Sequence, residues 1–279
     1  MMLAMRREQL KIGRKTIGYL VSETTAAGAR QQPLRTILFL HAFPLNADMW
    51  HTQVGVAPPG WRMVAPDYRG FGESSLPESP GTTMNDLAGD AIDLLDRLEI
   101  TDAVIVGCSM GGYVAFELVE SAPGYVKGLV LIDTRAGADT EEGKAGRQRM
   151  LETIDRAGSD AIADEMTPKL LGATTRRARP DLVKHVHHMI RGAHPAGIRM
   201  AVEAMMNRKD MTPAIGRITA PTLIIAGAED GLIPAPAIQE MHGTIKHSQL
   251  VTIPFAGHLP NLEQPDPFDV ELQQFLRQF

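Results

Sequence analysis

The stretch AVIVGCSMGGYVAFEL, residues 103–118, decides the reading of this chain. It begins as a short, continuous, β-branched apolar run, turns at Gly107-Cys108-Ser109-Met110-Gly111, and continues with helical spacing. A run without polar alternation suits a strand buried on both faces, since neither side meets water. Passing from strand straight into helix at G-x-S-x-G demands a turn so tight that only small residues fit around the serine, which accounts for Gly107, Gly111 and Gly112. Ser109 then projects from a sheet edge at the head of a helix, where its hydroxyl is a candidate nucleophile.

Working outward, five more runs have the same character: TILFL (36–40), RMVAP (62–66), GLVLID (128–133), TLIIAG (222–227) and QLVTIP (249–254). QLKIGRKTIGYLVS (9–22) reads instead as two strands about a Gly13-Arg14 turn. Segments of helical period separate several of the runs, notably 84–98 and 110–121, and another follows Pro267. Such alternation predicts an α/β fold with a mostly parallel sheet flanked by helices. The alternation fails once, between Asp133 and Pro221, where four helical patches (140–157, 159–171, 180–193 and 195–208) stand in a row. Ser159 is the expected N-cap of the second, and Pro180 and Pro195 suit first-turn positions. The expected organisation is a core made of residues 1–133 and 213–279, with residues 134–212 inserted as a helical cap over the carboxyl edge of the sheet.

A serine hydroxyl needs a base within hydrogen-bond reach, and the base needs a carboxylate to orient it. FAGHLPNLEQP puts His258 just after the last strand, and LIIAGAEDGLIP puts Asp230 after the penultimate one, giving the chain order Ser, Asp, His. Glu229 and Asp133 compete for the acid's role. Glu229 must point away if Asp230 points inward, and Asp133 is expected to brace the loop entering the helical stretch. Donors for a developing oxyanion are the backbone N–H of Met110, next after the nucleophile, and that of Phe43 in the loop after TILFL. His41 in the same loop is expected to brace it.

With HAFPLNADMW, PDYRGFGES, GCSMGGYVAFE, GAEDGLIP and AGHLPNLEQP in this order over residues 38–265, the chain resembles the α/β-hydrolase superfamily. It is most similar to small bacterial carboxylesterases, 3-oxoadipate enol-lactonases and cofactor-free haloperoxidase-like perhydrolases. The resemblance implies an eight-stranded sheet, a helical cap, and the roles already given to Ser109, Asp230, His258, Phe43 and Met110. His41-Ala42 stands where the family usually has His-Gly. Relatives with an aspartate nucleophile, the haloalkane dehalogenases and epoxide hydrolases, are excluded by the serine at the elbow. Signalling receptors of this fold, which turn ligand over very slowly, keep a similar triad.

Other features have plainer readings. The Cys108 side chain is expected to face the core, and His185, His187 and His188 to lie on a solvated helix without completing a metal site. Seven of the fifteen methionines fall between residues 135 and 211. Their adaptable side chains suggest an acyl pocket for short- to medium-chain esters, with Met205 and Met206 as first candidate substrate contacts. No metal, nucleotide or flavin pattern accompanies the triad, so no cofactor is expected. A net charge of −5 with dispersed basic residues argues against nucleic acid or an anionic membrane as partner and favours a small-molecule ester. The amino terminus carries no secretory h-region and no apolar run reaches membrane-spanning length, so a soluble, cytoplasmic enzyme is expected.

Overall fold

A computed structural model describes residues 5–24, 34–78 and 81–279; the first four residues of the amino-terminal stretch lie outside them. The hairpin forms where expected: β1 (Arg6–Ile12) and β2 (Lys15–Thr24) pair antiparallel, with Ile12 opposite Lys15. The continuous runs become β3 (Arg35–Leu40), β4 (Trp61–Pro66), β5 (Ala103–Cys108), β6 (Val126–Ile132), β7 (Thr222–Gly227) and β8 (Ser248–Ile253). They make one eight-stranded sheet in the order β1-β2-β4-β3-β5-β6-β7-β8, antiparallel only where β2 meets β1 and β4. Ile37 through Leu40 on β3 and Ile105 and Val106 on β5 have no accessible surface, which explains why their sequences do not alternate.

Helices cover both faces. α1 (His51–Gly55) and α2 (Met84–Arg97) precede β5, and α3 (Met110–Ser121) follows it directly. α2 begins at a capping box in which the Thr83 hydroxyl accepts from the Asp86 N–H while the Asp86 carboxylate accepts from the Thr83 N–H.

Between β6 and β7 the described residues hold no strand. They hold α4 (Glu141–Leu170), α5 (Ala173–Ala178), α6 (Pro180–Arg191), α7 (Pro195–Met206) and α8 (Thr212–Ile215). The first two expected patches run together as α4, broken at Gly158 with φ of 70°. Ser159 is not the cap expected there: its hydroxyl donates to the Ala193 carbonyl at 2.6 Å, so it ties α4 to the end of α6. α5, with the sequence ATTRRA, is too short and too polar to show a period. The chain closes with α9 (Ala235–Thr244), α10 (Pro260–Glu263) and α11 (Pro265–Leu276).

The helical segment meets the sheet's loops by close backbone approach. Gly197 in the first turn of α7 lies against Gly70 in the loop after β4, where a Cβ on Gly197 would stand 2.1 Å from the Gly70 carbonyl oxygen. Helix propensity alone favours Gly→Ala by about 1 kcal/mol. Overpacking against backbone costs about 1–3 kcal/mol and cannot be relieved by a rotamer change. Gly197→Ala is therefore expected to lower stability in urea unfolding, and a variant more stable than wild type would show that α7 does not bear on Gly70.

Candidate active site

The strand order places an opening at the centre of the sheet. From β3 the chain proceeds to β4 on one side, and from β5 to β6 on the other, so the loops leaving β3 and β5 part from each other. Such a switch point leaves a crevice beyond the carboxyl ends of the strands. Ser109, Asp133, Asp230 and His258 all follow the carboxyl ends of four adjacent strands, β5, β6, β7 and β8.

Ser109 occupies φ 52°, ψ −111°, a conformation that costs a non-glycine residue energy and persists only when the surroundings enforce it. They do so here through backbone bonds. The Ser109 N–H donates to the Ile132 carbonyl at 2.8 Å, and the Ser109 carbonyl accepts from Gly112 N–H at 2.9 Å and from the Thr134 hydroxyl at 2.8 Å. Glycine is needed around it because α3 presses on its neighbours. A Cβ on Gly107 would lie 2.4 Å from the Gly111 carbonyl oxygen, and one on Gly111 would lie 2.2 Å from that of Leu40. Cys108 faces the core as expected, where burial pushes its thiol pKa well up. Its Sγ lies 3.6 Å from the His258 carbonyl oxygen, linking the elbow to the histidine loop.

His258 Nδ1 and Asp230 Oδ2 are 2.9 Å apart, and both side chains are 2% exposed. Asp230 also accepts from the Leu232 N–H at 2.8 Å. Burial would raise its pKa, but His258 and that N–H outweigh it and hold the carboxyl below its ordinary range. Asp133 does the opposite: burial, reinforced by the neighbouring Asp230, pushes it well up. Two carboxylates in one buried site cannot both ionise freely, and the two groups are accordingly shifted in opposite directions. Asp133 does not brace the loop entering the helices. Its two oxygens accept from the Gly227 N–H at 3.0 and 3.2 Å, steadying the end of the strand that carries Asp230. Glu229 points away, as expected, and its oxygens accept from the Thr174 N–H at 2.8 Å and the Thr174 hydroxyl at 2.5 Å.

Phe43 lies in the loop after β3, and Met110 heads α3, where no helical carbonyl is available to its N–H. His41 braces this loop. It has no accessible surface; its Nδ1 donates to the Ala42 carbonyl at 3.0 Å and its Nε2 accepts from the Tyr68 N–H at 3.0 Å. Asp67, in the PDYRGFGES motif, is a second brace. Its carboxylate accepts from Ala47 N–H at 2.8 Å, Glu73 N–H at 3.0 Å and Arg7 at 2.7 Å. Glu263, within the AGHLPNLEQP motif, carries no role in the sequence; it is buried and accepts from three backbone N–H groups of two separate segments.

Met205 and Met206 point to different surroundings. Met205 is 2% exposed within the hydrophobic core, while Met206 is half-buried and lines a cavity of about 570 Å³ with Thr82, Glu117, Leu151 and Arg199. Ser109 and His258 are not among that cavity's lining residues. His187 pairs with Asp164 at 2.9 Å, and among the described residues no group of three or more His, Cys, Asp or Glu is placed to hold a metal ion. No helix of the described residues is long and apolar enough to cross a membrane.

Comparison with known proteins agrees with this architecture. The model of the alpha/beta hydrolase family matches residues 37–269. A 3-oxoadipate enol-lactonase of Acinetobacter baylyi is 27% identical over 87% of this chain and 89% of its own length. A putative non-heme chloroperoxidase of a Synechocystis species is 31% identical over 86% of this chain and 91% of its own. Among solved structures, a malate-bound thermophilic esterase from Thermogutta terrifontis superimposes with a TM-score of 0.87 at 35% identity, covering 98% of both chains.

The burial of His41 has a measurable consequence. Burial drives its pKa down to about 4, against 6.5 when unfolded. Between these values the unfolded chain holds a proton that the folded chain does not, so the stabilisation is present above pH 6.5 and is lost as pH falls towards 4. At about 1.4 kcal/mol per pH unit the loss is about 3 kcal/mol. His41→Asn lacks the titrating group and is expected to show a correspondingly flatter stability curve across that window in urea melts. Parallel curves for the two proteins would mean that His41 is protonated or exposed in the folded state.

Proposed function

This chain belongs to the alpha/beta hydrolase family, and from that starting point we propose that it is a carboxylesterase cleaving short- to medium-chain esters through an acyl-enzyme on Ser109. The observation that supports this most directly is the 2.9 Å pairing of His258 Nδ1 with Asp230 at the sheet edge where Ser109 sits on its strained turn. Nδ1 carries the proton towards the carboxylate, which leaves Nε2 unprotonated and able to take the proton from the Ser109 hydroxyl. The serine oxygen attacks the acyl carbon, and the carbonyl oxygen gathers negative charge between the N–H groups of Phe43 and Met110. His258 then returns the proton to the departing alcohol. Water, activated by the same base, releases the acid and restores the serine.

Enol-lactone hydrolysis uses the same steps, with the leaving alkoxide tethered to the acyl group. The Acinetobacter relative, named an enol-lactonase, gives that reading its support. Perhydrolysis would replace the deacylating water with hydrogen peroxide, and the Synechocystis relative, named a putative non-heme chloroperoxidase, supports it in the same way. Residues 134–212 serve in this proposal as a cap that selects the substrate. A cytoplasmic setting fits the lone, buried Cys108.

Ser109→Ala is expected to keep the fold and to retain less than about 1% of wild-type turnover of p-nitrophenyl acetate, because losing the nucleophile costs several powers of ten. Activity of the variant above that level, or a wild type without turnover, would overturn the proposal and leave a ligand-binding role.

Of the two proposed acyl contacts, Met205 and Met206, Met206 is the one that is not fully buried, and the test is made there. In a panel from acetyl to octanoyl esters, Met206→Trp should lower kcat/KM for the octanoyl ester by about 10-fold or more relative to acetyl, since each lost methylene contact is worth about 1–3 kcal/mol. Equal effects on both esters would remove Met206 from the acyl site.

A further inference from the structure

The loop that carries His258 is held by one buried carboxylate. Glu263 Oε1 accepts from the Gly257 N–H at 2.8 Å and from the Leu259 N–H at 3.2 Å. Between them, the His258 N–H donates to the Leu170 carbonyl at 3.1 Å, at the end of α4. The other oxygen of Glu263 accepts from the Gly172 N–H at 2.7 Å, two residues further along the helical segment. Every backbone N–H from Gly257 to Leu259 is therefore bound either to Glu263 or to the stretch joining α4 to α5.

Space in the joint is closed as well. A Cβ on Gly257 would lie 2.3 Å from the Gly172 nitrogen, and one on Gly172 would lie 2.9 Å from the Gly257 nitrogen. The two backbones touch, with a carboxylate bridging them that is only 3% exposed. A buried carboxylate is costly unless its lone pairs are satisfied, and three converging N–H groups call for a group with acceptors only. Glutamine has one acceptor oxygen and would turn its NH2 group towards one of the N–H donors.

We propose that Glu263 is the positioning residue for His258, locking the histidine's loop to the helical segment so that it governs kcat without touching substrate. This rests on the reading of His258 as general base. A base must sit within tenths of an ångström of its productive geometry, and a displacement of about 1 Å costs about 100-fold in rate. Two of the three backbone donors to Glu263 belong to the histidine loop and one to the helical segment, so losing the carboxylate acts mainly on the placement of His258. The loss therefore appears in kcat while KM stays nearly constant.

The test is hydrolysis of p-nitrophenyl acetate by the wild type, Ser109→Ala, Glu263→Gln, Glu263→Asp and Thr174→Val, with kcat expressed per site by end-point titration with a fluorophosphonate in the proteins that keep Ser109, and per mole of folded protein in Ser109→Ala. Glu263→Asp keeps the charge but is one methylene too short to hold both segments, and it carries the test if the glutamine variant does not fold. Thr174→Val breaks a neighbouring tie, from the helical segment to Glu229, without touching residues 257–259. The expected result is a kcat about 10–100-fold lower in both Glu263 variants with KM within about threefold, and little change in Thr174→Val. If Ser109→Ala is as active as wild type, the hydrolase reading itself fails. If Ser109→Ala is inactive while both Glu263 variants keep kcat within about threefold, or lose only in KM, the positioning role alone is overturned. A loss in Thr174→Val equal to that in Glu263→Gln also overturns it, because general anchoring of the helices would then set the rate.

Discussion

The turn at Ser109 is the constraint from which the rest follows. A residue with φ of 52° between β5 and α3 survives only if the helix is drawn hard onto the sheet. That approach excludes any Cβ at Gly107 and Gly111. It also requires β3 and β6 on either side, because Leu40 closes over Gly111 while Ile132 and Thr134 bind the Ser109 backbone. Ordering the loops after β3 and β6 thus belongs to the same packing problem as making the turn. The crevice opens where the sheet can supply neighbours to both sides of one central strand.

Around this turn the protein buries several acids, and each has a different solution to the cost of burial. Asp67 is compensated by Arg7 and by N–H donors from two loops. His258 and the Leu232 N–H draw Asp230 below its ordinary range, while burial and the neighbouring Asp230 push Asp133 up. Burial pushes Glu263 up, and backbone N–H donors on two segments draw it back. Each of these groups fastens backbone that local propensity could not order.

The residues fall into two groups by how far their reasons extend along the chain. The strands, α2, α3 and the elbow were legible because their causes are local: continuous apolar runs show burial, helical period shows α2 and α3, and G-x-S-x-G between strand and helix shows a turn with room for nothing larger. The pairing of His258 with Asp230 was legible for a related reason, since parallel strands deliver their following loops to the same edge. Ser159 misled because a serine ahead of an apolar helix has the composition of a cap whether or not its hydroxyl turns to Ala193, 34 residues away. Still longer separations, 94 and 91 residues, hid the partners of Asp133, which binds Gly227, and of Glu263, which binds Gly172. Sequence by itself determined the strands, the main helices, the tight turn at Ser109 and the edge of the sheet where a site forms, because periodicity and turn sterics act over a few residues. Only the tertiary structure decided which carboxylates brace and which one faces the histidine, because burial and hydrogen bonding depend on neighbours that are far away along the chain.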